Sequence, residues 1–179
     1  MAAIGWYASY AYAKHRDDRI HRLNARLKYR ERQIEELYGP LVSLMRQIGS
    51  VWSVREDLVR QGGDAMSENE KRLVWQYFWS AHFKPLHAEM RAILKQKLYL
   101  LEGSRLPESF LEYIQHSVQE EAKQDLMSKS GIDTTRVSVP RFPTAFAKDI
   151  GSTLESLLKA HNLAMQALLD ENGVDTLQT

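Results

Sequence analysis

Apolar residues recur at three- and four-residue spacing from Ile20 to Val51: Ile20, Leu23, Leu27, Ile34, Leu37, Leu41, Leu44, Ile48 and Val51. Arg30 is the one interruption before Ile34. A stripe of this period lies on one face of an α-helix and has to be buried against other helices. Gly39-Pro40 stands in the middle of it. Proline at position 40 removes the amide that would bond the Glu36 carbonyl, so a kink or short break is expected near Tyr38. The stripe keeps its register across the pair, which predicts a bend, not a reversal.

The rest of the chain repeats the helical period between clear stops. Gln61-Gly62-Gly63-Asp64 ends the first helix, and Ser67-Glu68-Asn69-Glu70 has the form of a capping box for the second. That helix is expected to run to about Leu101, with a second kink at Pro85. Its first half is apolar nearly all round (Leu73, Val74, Trp75, Tyr77, Phe78, Trp79, Phe83), which predicts a central position. Glu102-Gly103-Ser104 stops it. A shorter helix then begins at Pro107 with Phe110, Leu111, Ile114 and Val118 as its apolar face. Residues 128–141 read as a loop. The last helix starts near Pro143, carries Phe146, Ile150, Leu154, Leu157, Leu158, His161, Met165 and Leu168, and closes at Asn172-Gly173. The expected fold is all-α, a four- to five-helix antiparallel bundle with a long, Pro-kinked, coiled-coil-like N-terminal helix. Its expected organisation is a short apolar and aromatic segment (1–13), a basic helix (14–40), the bundle (41–170) and a frayed tail (171–179).

Charge is placed unevenly on this plan. Met1 to Ala13 is uncharged, and Trp6, Tyr7, Tyr10 and Tyr12 crowd its second half. Lys14, Arg16, Arg19, Arg22, Arg26, Lys28, Arg30 and Arg32 follow, against Asp17, Asp18 and Glu31 alone. Aromatic first and basic next is the order of a membrane anchor entering the cytoplasm, because amphipathic rings settle at headgroup level and Lys/Arg remain on the cytoplasmic side. Thirteen helical residues, however, span about 20 Å against a hydrocarbon core of about 30 Å. Three readings are open: the cytoplasmic half of a transmembrane helix, an anchor lying in the interface, or the start of a helix packed on a partner. In each of them Trp6, Tyr7, Tyr10, Tyr12, Lys14, Arg16, Arg19, Arg22 and Arg26 are the membrane or partner contacts. Ile20, Leu23, Leu27, Ile34 and Leu37 are the candidate assembly seam, facing a second copy or a helical partner protein. Phosphate binding by the basic helix is the weaker reading, since no recognised nucleic-acid module follows it.

Motifs for chemistry are lacking. With no cysteine there is no thiolate nucleophile, disulfide or Cys-type zinc site. No nucleophile elbow, Walker loop or dinucleotide fingerprint occurs, so neither a catalytic residue nor a cofactor is expected. The Glu-x-x-His pairs of di-iron bundles are missing as well. Glu112 and His116, with Glu120 a turn further, could put two or three ligands on one face, but an exposed polar stripe is the simpler account. His82 and His87 straddle Pro85 and suit packing or a buried hydrogen bond. His161 suits a satisfied core position. The aromatic cluster around Trp52, Trp75, Tyr77, Phe78, Trp79 and Phe83 is dense enough to line a ligand pocket or a partner groove, with core packing the default.

One string is familiar. Arg32-Gln33-Ile34-Glu35-Glu36-Leu37-Tyr38-Gly39-Pro40-Leu41 resembles that of uncharacterised bacterial single-pass proteins. In these a membrane helix leads through a basic juxtamembrane helix into an E-L-Y-G-P-L turn and a helical bundle. Leu106-Pro107-Glu108-Ser109-Phe110 and Phe142-Pro143 are looser matches. The resemblance implies a topology, with the bundle on the cytoplasmic face of the inner membrane, or in the cytoplasm if the first segment is no anchor. It lends no catalytic residue.

Overall fold

The computed structural model describes the backbone of residues 2–101, 105–134 and 136–173, and their side chains except at 2–5, 8, 9, 64 and 171–173. The expected stop at Glu102-Gly103-Ser104 and the tail beyond Gly173 lie outside the described residues. Every regular element within them is helical, and they assemble as four rods. The first rod is α1 (Ala2–Gln33), a π turn (Ile34–Tyr38) and α2 (Gly39–Gly62). The second is α3 (Glu68–Phe78), a second π turn (Trp79–Phe83) and α4 (Lys84–Lys97), finished by a 3₁₀ turn at Leu98–Leu100. α5 (Glu108–Ser130) and α6 (Thr144–Gly173) complete the bundle.

At both places where the sequence predicts kinks, the helix widens into a π turn. Pro40 and Pro85 each stand two residues beyond a π turn. The amide of the intervening residue donates five residues back, Gly39 to the Ile34 carbonyl and Lys84 to the Trp79 carbonyl. A proline ring collides with the carbonyl four residues before it and cannot donate to it. In both rods that carbonyl, of Glu36 or Ala81, belongs to the π turn, where one extra residue shifts it aside. Gly39 is required by this geometry: a Cβ there would lie 2.6 Å from the Ile34 carbonyl oxygen. The first rod therefore passes through Gly39-Pro40 without reversing.

The capping box forms as the sequence predicts. Ser67 Oγ accepts from the Glu70 amide at 3.3 Å, and the Ser67 amide donates to Glu70 Oε2 at 2.7 Å. The Gly62-Gly63 stop is also in place, with Gly63 at φ 49° and its amide bonded to the Val59 carbonyl. α5 is longer than its apolar stripe suggests. It continues to Ser130 because its buried face includes Ser117 and Gln124, polar residues that periodicity does not count. Gly131, at φ 63°, caps it.

Neighbouring rods run antiparallel, as their partners show. Gln33 Nε2 donates to the Leu100 carbonyl at 2.8 Å, and Glu36 receives Lys97 Nζ at 2.7 Å. Lys84 bonds Asp125 at 2.7 Å while Arg91, a turn or two later, meets Glu121 and the Ser117 carbonyl earlier on α5. Ser109 bonds Asp149 at 2.6 Å, and Phe110 stands edge-on to Phe146. Leu37, Leu41, Met90, Leu100, Tyr113, Phe146 and Ile150 expose none of their surface at the centre. The second helix is less central than predicted: Phe78, Trp79 and Phe83 are buried, but Leu73 and Tyr77 face solvent. Likewise Leu111, Val118, Leu158 and Met165 lie on outer faces.

Candidate functional site

Two features are not explained by packing: the start of the first rod and a cavity beside its end. Among the described residues the first buried side chain of α1 is Leu27. Before it, Trp6, Tyr7, Tyr10 and Tyr12 all project into solvent, Tyr12 with 74 % of its surface exposed. Trp6 and Tyr10 stack on one another at 5.8 Å, one turn apart. At 100° per residue Tyr7 and Tyr12 point about 100° and about 240° away from Trp6, so the rings surround the helix and do not form one face. Lys14, Arg19, Arg22 and Arg26 continue the exposed surface, Arg22 donating to the Asp18 carbonyl at 3.1 Å. Arg16 is half-buried, 4.0 Å from Asp17.

The seam divides at Leu27. Ile34 and Leu37 belong to or pack against the central core, and Leu27 is buried beside α6 contacts made by Arg30 to the Ala160 carbonyl and by Glu31 to His161. Their partners are supplied by this same chain. Ile20 and Leu23 remain half-exposed. His161 thus pairs with a carboxylate at 3.4 Å at a half-buried position instead of sitting sealed in the core.

The cavity has a volume of about 550 Å³ and lies between α2, the second π turn, α5 and the loop residues 139–142. Trp52, Trp75, Trp79 and Phe83 wall one side, their ring centroids 5.6–6.2 Å apart. His87, His116, Glu120 and Arg141 supply its polar groups, and Phe142 closes it from the loop. The second π turn makes the wall. Trp75, Trp79, Phe83 and His87 recur every four residues, and in a regular α-helix twelve residues would turn the last away from the first by about 120°. One residue absorbed by a π turn reduces that to about 20°, so all four reach one cavity. Arg55 lies over Trp52 and Trp75 at 5.0 and 4.9 Å.

His87 is buried and hydrogen-bonded through Nδ1 to the Tyr113 hydroxyl at 2.9 Å, while that hydroxyl donates to Met90 sulfur at 3.3 Å. A tautomer protonated at Nδ1 satisfies both contacts and leaves Nε2 as an acceptor. Burial, helped by nearby His116 and Arg91, pushes His87 down to about 4, so it is neutral at pH 7. Burial raises the Tyr113 phenol above its usual range. His116 Nδ1 donates to the Pro140 carbonyl at 2.6 Å, which ties the loop to α5 and again leaves Nε2 available. Trp79 is buried with an indole N–H that finds no acceptor.

Of the residues with metal-ligating side chains on α5, His116 and Glu120 both line the cavity, whereas Glu112, one turn before His116, is exposed and does not line it. His82 packs against Tyr77 and Phe78 and contributes nothing there. Among the described residues no three His, Asp or Glu side chains converge to hold an ion. Gln33, Tyr113 and the His116–Pro140 contact were not legible as functional or structural features from periodicity. The four-residue spacing of Trp75, Trp79, Phe83 and His87 ahead of and around Pro85 was the available signal for the cavity. No described helix is long and apolar enough to cross a membrane. No family model, curated protein or solved structure matches the chain.

Proposed function

We propose that this chain is a non-enzymatic, membrane-associated helical scaffold, a bundle carried on an aromatic-then-basic stalk that assembles with a second copy or a helical partner. The observation that carries the reading is the exposure of Trp6, Tyr7, Tyr10 and Tyr12 on a helix continuous with the bundle and followed directly by cations. Rings distributed around a helix suit one standing upright through the headgroup layer, since a helix lying flat needs its apolar groups on one face. Ile20 and Leu23 are the part of the seam left to an assembly partner, because α6 and the core already occupy the part from Leu27 onward.

Electrostatic range sets which cations matter. Counted from Lys14, Arg19 lies about 8 Å and Arg26 about 18 Å along the helix. The screening length at physiological salt is about 8 Å, so Lys14, Arg16 and Arg19 feel an anionic surface and Arg26 does not. Flotation with phosphatidylserine-containing vesicles tests this. Binding is expected to weaken when Lys14, Arg16 and Arg19 are changed together to Gln, and to be unaffected by Arg26→Gln. Full-length protein that stays with the soluble fraction at low salt would remove the membrane reading. Protection of residues 6–12 from hydrogen exchange in a lipid-free complex would instead favour a soluble adaptor whose first segment is buried by a protein.

A further inference from the structure

We propose that the cavity between α2, the second π turn and loop residues 139–142 is a binding site for a small, neutral, flat aromatic molecule bearing an N–H or O–H donor. At about 550 Å³ it falls in the size range of small-molecule sites. Its walls are ring surfaces set at differing angles, Trp75 tilted 31° from Trp79 and 78° from Trp52, so a flat molecule meets both faces and edges. π turns in α-helices concentrate at functional sites. Here the turn is what brings Trp75 and His87 to the same cavity.

The polar groups define the ligand's chemistry. His116, its Nδ1 committed to the Pro140 carbonyl, offers Nε2 as an acceptor, and Glu120 offers the carboxylate oxygen that Gln124 leaves open. These two acceptors call for a donor on the ligand, while the unpartnered Trp79 indole N–H can meet an acceptor atom or a ring face of the same molecule. Glu120 and Arg141 contribute one charge of each sign, so an ion of either sign would meet its own charge as well as its counter-charge. A neutral molecule avoids that cost.

Gly49 provides both support and a test. It stands inside α2, where glycine is less favourable than alanine, and a Cβ on it would meet nothing within 4 Å. Gly151 in α6 is equally open but does not line this cavity. At Gly49 the space left is the cavity itself.

The probe is N-phenyl-naphthylamine, titrated into the full chain, with its own emission and the tryptophan emission both recorded. Three of the four tryptophans wall the cavity. Saturable binding with quenched tryptophan emission is expected, weakened roughly tenfold or more in Gly49→Leu while the thermal melt is kept. Trp52→Ala, at a half-exposed position, is a second variant expected to weaken binding without unfolding the chain. The anilinonaphthalene sulfonate with the same ring body and one added charge is expected to bind roughly tenfold more weakly. Absence of saturable binding, or binding unchanged in both variants, would overturn the site. Tighter binding of the sulfonate would overturn its neutral character.

Discussion

His87 shows how one side chain ties packing to pH. It packs among Trp79, Tyr113, His116 and Phe142, and its Nδ1 is held by the Tyr113 hydroxyl. Burial lowers it from 6.5 in the unfolded chain to about 4 in the folded one. The unfolded chain thus binds more protons between these values, and stability is full above pH 6.5 and lost as pH falls toward 4. Order-of-magnitude linkage puts the loss at about 3 kcal/mol. Urea denaturation across this interval is expected to show a steep rise of stability with pH that His87→Phe flattens. Glu36 acts in a separate, more acidic window. Hydrogen bonds from Arg32 and Lys97 hold it at about 2, so its contribution fades only as pH falls below 4.5.

At the scale of the element, the two π turns are the feature that distinguishes this bundle from a simple coiled coil. Each answers the same local problem, a proline inside a helix that continues. Two glycines of the first rod then make opposite predictions. Gly39→Ala drives a Cβ to 2.6 Å from a backbone oxygen that cannot move without undoing the turn. It is expected to cost about 2 kcal/mol. Gly49→Ala meets open space in a regular α-helix and is expected to stabilise by about 0.5–1 kcal/mol. Denaturant midpoints of the two variants at one pH check both signs. If Gly39→Ala proves neutral, the π turn is not what demands that glycine.

At the scale of the whole molecule, burial among the described side chains begins at Leu27, and one core cluster runs from Leu37 through Ile150 and Leu157. Residues 2–15 contribute no described core side chain. Their deletion is therefore expected to leave the thermal midpoint within about 2 °C while abolishing vesicle flotation. A large drop in the midpoint would mean that the stalk belongs to the folding unit.

Much of the architecture was legible because it depends on local rules. Helical spacing located the rods, the Ser67–Glu70 capping box and Gly63 placed their ends, and the preserved register across Gly39-Pro40 excluded a reversal. The candidate site was legible only in its ingredients. Trp52, Trp75, Trp79 and Phe83 could be read as core, pocket or groove, and His116 as a stripe residue. Which they become depends on helix rotation. The π turn at Trp79–Phe83 rotates that face by one residue, and the His116–Pro140 hydrogen bond brings a distant loop across it. The same holds for the seam, where Leu27 to Leu37 face helices of their own chain and only tertiary packing could supply that partner. The sequence by itself determined the helices, their stops and the aromatic-then-basic order of the stalk, since these follow from spacing and charge along the chain. Tertiary structure decided which apolar face was already taken and that a cavity remained, because both depend on the rotation and contact of segments far apart in sequence.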